Sequence, residues 1–394
     1  MIHKPTFKYM FMSHYATEVC KCPENVRIMN DNTFVKLGDV AHECRLTWSG
    51  DQTNIPIVGL EHLIPGEIEL YSWDSNIEHT FSKKFVKGQV LLGRRRVYLK
   101  KAVVAPCDGI CSGDITVIES TGGILPELLP FVIQNDRFFD YAMQGSAGSL
   151  SPRVKWEHLK NYEFPLPPLT EQKVLADKLW AAYRLKQSYK KLLAATEEMV
   201  KSQFIEMFGD FHNKVQIKDV CLVVSGKSIP TKLEDNDGNN PYIKVADFNI
   251  PGNEKYITIA QRYVSDDSAS YSKQIPEGSV IFAKNGAASM SNKKRLTKIR
   301  CCIDMNTMAV FPKNESILSD FLFATIEAMD VSSHVRQGAI PSISPKSIED
   351  SYIAMPTMEE QYRYVSIAKH ADKSGFELRK SIDEIEIVIE SLIN

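Results

Sequence analysis

Positive charge gathers at two places along this chain. Between Phe81 and Cys107 stand Lys83, Lys84, Lys87, Arg94, Arg95, Arg96, Lys100 and Lys101, with Tyr98 among them and no acidic residue. Between Phe282 and Ile303 stand Lys284, Lys293, Lys294, Arg295, Lys298 and Arg300, again with no acid, and with Asn285 and Asn292 among the bases. The whole chain has 47 basic and 49 acidic side chains and a formal charge of −2. It is no polycation, so a site for a polyanion must be local. Lysine neutralises phosphates, arginine's planar fork matches guanine O6 and N7, and asparagine matches adenine in the same groove. Double-stranded DNA is the partner that these residue types fit. One such run alone is as readily a solvated loop; two runs that follow the same strand of a repeat favour DNA.

Catalytic apparatus is harder to find. Gly226-Lys227-Ser228 resembles the end of a phosphate-binding loop, but Cys221 stands where that loop needs its first glycine. Asn239-Asn240-Pro241-Tyr242 is similar to the Asn/Asp-Pro-Pro-aromatic motif with which amino-methyltransferases hold the target amine. One proline is missing, no glycine-rich strand-to-helix turn accompanies it, and Asn54-Ile55-Pro56-Ile57 occupies the equivalent place earlier in the chain. A strand start is the better reading. Nine histidines are scattered without a cluster. Of the eight cysteines, Cys20-x-Cys22 and Cys107-x₃-Cys111 lack the usual zinc spacing. These two pairs, like Cys44, Cys221, Cys301 and Cys302, read as buried thiols, reduced in a cytoplasm. No catalytic, cofactor or metal residue is assigned. No apolar run nears the ~18 residues of a membrane span, and Met1–Pro5 leads into no signal segment. A soluble, cytoplasmic protein without membrane contact is expected.

The elements that position the basic runs occur twice. Leu166-Pro167-Pro168-Leu169-Thr170-Glu171-Gln172 recurs as Met355-Pro356-Thr357-Met358-Glu359-Glu360-Gln361, displaced by 189 positions. Val35–Val40 echoes Val215–Val220, Ile55–Leu60 echoes Asn240–Val245, and Val86–Leu92 echoes Pro276–Phe282. Gly148 and Gly338 precede Ser151-Pro152 and Ser344-Pro345. Such a period is far too long for a solenoid; it marks a duplicated module followed by a long helix. Within the modules, Val86–Leu92, Ile115–Glu119, Pro241–Val245, Tyr256–Ile259 and Ser279–Ala283 read as strands. Leu125–Phe139 and Ile317–Ala328 read as helices.

After each motif comes a helical stem. Thr170 could cap the first, and Gly209 closes it. Its apolar stripe is Leu175, Leu179, Ala182, Leu185, Tyr189, Leu192, Thr196 and Met199. The second stem carries Tyr364, Ile367, Ala371, Ser374, Leu378, Ile382, Ile385, Ile389 and Leu392. Such narrow seams suit coiled-coil pairing, and Gly375 would weaken the second stem by ~1 kcal/mol unless a partner offsets it. Each stem could lie across its own module, but ~60 Å of helix exceeds a module's width, which favours the stems packing on each other. The expected fold is α+β: two similar mixed α/β domains joined by two long antiparallel helices, coiled-coil-like and pseudo-twofold symmetric. The expected division is 1–168 and 210–356 for the modules, 169–209 and 357–394 for the helices.

Two modules each followed by a Pro-Pro-Leu-x-Glu-Gln helix start resemble the specificity subunit of type I restriction–modification systems. Leu166–Gln172, Ser202–Gly209 and Leu91–Lys101 with Gly109–Ser112 carry the likeness, which covers essentially the whole chain. The second copy departs at Met355, Thr357 and Met358, and the sequence runs only three residues past Ser391, the match to Ser202; its stem is expected to be less rigid there. The resemblance implies that each module is a target-recognition domain for one half of a bipartite, asymmetric DNA site. It implies stems that set the spacer and dock two adenine methyltransferase subunits, with motor–nuclease subunits recruited to the assembly. S-adenosylmethionine, ATP and Mg²⁺ would belong to those partners, and this chain would be no enzyme. A DNA methyltransferase or nuclease with fused recognition domains, and a coiled-coil scaffold with protein-binding heads, are the alternatives.

Overall fold

The computed structural model describes residues 33–148, 151–235, 238–336 and 338–393; Cys20 and Cys22 lie outside them. The chain forms two compact units, one running through Tyr183 and including 387–393, the other spanning Arg184–Glu386. The boundaries of this division fall within both long helices. No helix of the described residues is long and apolar enough to cross a membrane.

The first unit holds an antiparallel sheet ordered Ala41–Cys44, Ile115–Ser120, Val90–Gly93, Ala102–Val104. Beside it, Gly109–Cys111 pairs parallel with Ile57–Val58 and antiparallel with Lys83–Phe85. Thr33–Lys36 and Glu163–Leu166 close the module as a two-stranded ribbon. The second unit repeats the plan. Cys221–Ser225, Thr307–Pro312, Val280–Ala283 and Lys294–Thr297 reproduce the four strands in the same order, and Tyr256–Ile257 adds a fifth. Asn240–Ile243, Cys301–Ile303 and Lys273–Ile275 stand for the smaller sheet, extended by Tyr263–Val264.

The strand Val90–Gly93 is buried on both faces. Successive strand residues point to opposite sides, so Val90 and Leu92 join the core against the helices while Leu91 joins the core against the smaller sheet. Val280, Ile281 and Phe282 divide in the same way. This explains a continuous apolar run where a half-exposed strand would alternate. The strands begin later than the sequence suggests because Gly88 (φ 90°) and Gly278 (φ 80°) form a turn ahead of each. The single helix expected over Leu125–Phe139 is two, Leu129–Ile133 and Asp136–Gln144. Pro130 is tolerated in the first turn of the former, and the Asn135 side chain accepts from Arg137 N (2.8 Å) to start the latter.

The stems are the helices Leu169–Phe208 and Met358–Ile393. Thr170 does not cap the first; the N–H groups of Glu171 and Gln172 bond to Pro168 O. In the second copy Thr357 replaces Pro168 and builds a capping box. Thr357 N donates to Glu360 Oε2 (2.8 Å), and Glu360 N donates to Thr357 Oγ1 (3.4 Å). One turn in, Gln172 and Gln361 are 1% and 0% exposed. Gln172 Oε1 accepts from Leu125 N (2.8 Å) while Nε2 donates to Pro167 O (2.9 Å) and Gly123 O (3.2 Å). Gln361 does the same with Leu318 N (2.9 Å), Pro356 O (3.1 Å) and Ser316 O (3.1 Å). Farther along, the Tyr183 hydroxyl meets the Glu67 carboxylate (2.9 Å) and the Ile68 N–H (3.2 Å), and Asp372, its counterpart, binds Lys255 and Tyr256.

Both expected modes of stem packing occur. Each stem starts in the core of its own module: Ala176, Leu179 and Tyr183 in the first, Tyr364 and Val365 in the second. Within the second unit the stems run antiparallel, with Lys186 on Glu386 (2.7 Å) and Arg379 on Glu197 (2.6 Å). Gly375 lies where these helices meet, and a Cβ there would come 3.3 Å from Leu193; the glycine that weakens the helix lets the helices close. The first stem ends with Phe204 and Phe208 against Phe321 and Tyr364 in the second core. Ile389, Leu392 and Ile393 of the second stem pack on the first core. The stripe read from the first stem is partly misplaced. Leu185, Leu192 and Met199, seven apart, are 45%, 52% and 52% exposed, and Lys186, Leu193 and Val200 take the more buried positions beside them.

Replacing Gln361 with leucine keeps the volume but leaves one N–H and two carbonyls without partners, at about 1–3 kcal/mol for each group left buried. Urea denaturation of the Gln361→Leu chain is expected to show a loss of roughly 3–9 kcal/mol; a loss under ~0.5 kcal/mol would show that the glutamine does not lock the stem.

Candidate nucleic-acid interface

The two basic runs occupy the same topological place. Each contains the connection between two antiparallel neighbours, Val90–Gly93 to Ala102–Val104 in the first unit and Val280–Ala283 to Lys294–Thr297 in the second. Each connection folds around a short 3₁₀ turn, Val97–Leu99 or Ala287–Ser291. Each turn is bracketed by left-handed residues: Arg96 (φ 53°) and Lys100 (φ 50°), then Gly286 (φ 69°) and Asn292 (φ 53°). Such φ values are uncommon outside glycine and asparagine, and their pairing at both turns marks them as built features. Val97 and Ser289 face inward, while Arg96, Tyr98, Leu99, Met290 and Lys293 face solvent.

The runs carry no acid of their own, but the fold brings acids to them. Arg95 pairs with Asp114 (3.5 Å) and bonds to Ser151. Asp114 also accepts from Arg153 Nε (2.7 Å), and chiefly that bond holds its carboxyl below the usual carboxylate range. Lys100 reaches Asp136 (2.6 Å), and Lys83 reaches Glu43 (3.7 Å) and Ile115 O (2.8 Å). Lys101 donates to Leu60 O (2.7 Å), and Lys84 lies 5.6 Å from the Trp48 ring centre. In the second unit Asn285 bonds to Asn306 and Met305 O, Asn292 Oδ1 accepts from Val331 N, and Lys293 donates to Asn249. Arg295 is half-buried against Phe248, donating to its carbonyl (3.0 Å), and burial pulls its pKa down. Among the described residues, Lys87, Arg96 and Lys284 are cations of the two runs with neither an ion pair nor a side-chain hydrogen bond.

Sequence reading missed a cleft of about 550 Å³ in the first unit, whose walls include Arg45, Lys83, Arg94, Lys155, Phe81 and Trp156. Arg94 Nε is buried there without a hydrogen-bond partner. Arg45 and Lys155 are isolated in the sequence, so no run signals them; Val154 N donates to Arg94 O (3.0 Å), which sets Lys155 beside Arg94, and Arg45 lines the same cleft. The rejected motifs are structural. A Cβ at Gly226 would sit 2.3 Å from Asp304 O, so glycine serves a close backbone approach. Tyr242 is buried with its hydroxyl on Asp304 (3.2 Å), unable to stack on a substrate.

Known proteins resemble this chain in sequence and in fold. The family model described as type I restriction modification DNA specificity domain matches residues 211–386. The type I restriction enzyme EcoDI specificity subunit of Escherichia coli is 26% identical over 186 residues, which make up 44% of this chain and 41% of that one. The chain thus spans about two-fifths of the length of that relative. Among solved structures, the S subunit of a type I restriction-modification system from M. genitalium has a TM-score of 0.57 at 11% identity, covering 93% of this chain and 97% of that one. A chain from a structure of type I R-M complex assembly and conformational transition gives 0.56 at 19%, covering 92% and 96%. Both share the fold.

Lys294 departs most from expectation. It does not face outward with the basic run but is buried, its ammonium donating to Met329 O (2.7 Å) and Glu327 O (3.3 Å) at the end of the helix Ser319–Ala328. Burial pulls its pKa down to about 8. Between that value and the unfolded value near 10.5 the unfolded chain binds the extra proton, so raising the pH favours the fold. Stability relative to a Lys294→Met chain should rise by on the order of 2–3 kcal/mol from pH 8 to 10.5. Denaturation curves across that range check this; a constant difference would place the ammonium in water.

Proposed function

We propose that this chain, a member of the type I restriction–modification specificity family, addresses such a complex to DNA and catalyses nothing itself. Each module reads one half of a bipartite, asymmetric duplex site. The observation that carries this reading is the pair of topologically equivalent turns, each bracketed by left-handed residues and each presenting exposed cations. Arg96, Tyr98 and the cleft at Arg94 serve one half; Lys284, Asn285 and Lys293 serve the other. Arg95, Lys83, Lys100, Lys294 and Arg295 hold the reading surfaces in shape. The first stem begins in one core and ends in the other as a single 40-residue helix. A rod of roughly 60 Å can set an unread spacer of one duplex turn, about 34 Å. The exposed row Leu185, Leu192 and Met199 is where a methyltransferase subunit docks, and S-adenosylmethionine, ATP and Mg²⁺ act in that and the motor–nuclease subunits.

Selection of bound duplexes from a random pool tests the division of labour. Arg96→Ala with Tyr98→Ala should relax one half-site by ~1–3 kcal/mol of discrimination and leave the other unchanged. Lys284→Ala with Lys293→Ala should act on the other half and lower the salt slope by about one for each phosphate no longer neutralised. Equal disturbance of both halves by either pair would refute the assignment. Four residues inserted into each stem should lengthen the selected spacer with both half-sites intact; an unchanged spacer would remove the stems from that role.

A further inference from the structure

Three ligand-type side chains meet on the first module, away from its reading turn. His42 and Cys44 are two apart on the strand Ala41–Cys44 and share a face. Glu119 lies directly opposite His42 on the neighbouring strand. A ring nitrogen, a thiol sulfur and a carboxylate oxygen from these residues all lie within 4.8 Å of one another. Cys44 Sγ is 3.6 Å from His42 Nε2 and 3.2 Å from Glu119 Oε2. A tetrahedral zinc ion, with bonds of ~2.3 Å to sulfur and ~2.0–2.2 Å to nitrogen or oxygen, needs edges of about 3.5 Å between its ligands. Buried Gln89 donates to Glu119 Oε2 (2.9 Å) and to Cys44 Sγ (3.3 Å). Outer groups of this kind orient metal ligands.

The duplication supplies an internal control. Cys221–Ser225 pairs with Thr307–Pro312 in the register that Ala41–Cys44 keeps with Ile115–Ser120. The positions of His42, Cys44 and Glu119 are there Leu222, Val224 and Phe311, and Gln89 becomes Ser279. The sheet therefore has no structural need of polar groups at these points. A thiol donating to Glu119 leaves the imidazole with the sulfur, at 3.6 Å, as its hydrogen-bond partner, so all three side chains already converge on one point.

We propose that His42, Cys44 and Glu119 bind a divalent cation of the zinc class, with water at the fourth position. His42 and Glu119 are exposed, which gives the ion its path and leaves that position open. Burial, then the hydrogen bond to Glu119, pushes the Cys44 thiol up to about 12, so the ion must displace that proton to solvent. Once bound it would cross-link two neighbouring strands of the first sheet.

Cobalt(II) titration of the full chain after chelator treatment tests this. One ion per chain should bind with a thiolate-to-cobalt charge-transfer band and the visible absorption of a tetrahedral site. His42→Ala and Cys44→Ser should each abolish the band, and Gln89→Ala should weaken binding ~10-fold. His42 is exposed, so His42→Ala should keep the wild-type circular dichroism and separate ligand loss from misfolding. A Cys20→Ser, Cys22→Ser chain should keep the band. No band in the wild-type chain, a band that survives His42→Ala or Cys44→Ser, or one that disappears with Cys20 and Cys22, would overturn the site.

Discussion

Two buried carboxamides hold the architecture together. At Gln172 and Gln361 a helix must leave a sheet-bearing module at one fixed point, and the surrounding backbone offers one N–H and two carbonyls with no water at hand. A neutral side chain with one acceptor and two donor hydrogens meets that demand; a carboxylate could not donate and a hydrocarbon could do neither. In a medium of low dielectric such a network is stabilising only when fully satisfied. Once the helix start is fixed, its rigidity carries the constraint forward. Tyr183 and Asp372 stand eleven residues on from their glutamines, about three turns, and so return to the face that meets the module.

Around that fixed frame the two copies have exchanged chemistry while keeping geometry. A proline starts one stem and a threonine–glutamate capping box starts the other. A stem phenol bonds to backbone N–H groups in the first copy, whereas a stem carboxylate binds a lysine and a tyrosine in the second. The basic turns keep a positive φ at both ends but use Arg and Lys in one and Gly and Asn in the other. The parts that transmit position are the same in kind, and the parts that face outward are not.

Much of this was legible in the sequence because duplication is a pattern that needs no knowledge of burial. Motif order, the two long helices and the location of both basic runs follow from it. The error over Leu125–Phe139 came from weighing periodicity above Asn135, whose side chain starts a new helix, and the misplaced stripe on the first stem came from counting apolar residues alone. The true seam there includes Lys186 and Gln172, which a hydrophobic pattern passes over. The electrostatics were the least legible. Asp114, Asp136 and Glu43 lie outside the local basic run, and only the folded chain shows that they offset its charge. The same holds for Arg45 and Lys155 beside Arg94, and for the convergence of His42, Cys44 and Glu119.

The packing of Ile389, Leu392 and Ile393 on the first core bears on how the protein is made. A ribosome delivers that core's own strands early and these three side chains only after the whole second module. During synthesis of the second module the nascent first module therefore keeps an apolar strip uncovered. Synthesis of the second stem, rather than completion of either head, closes that strip.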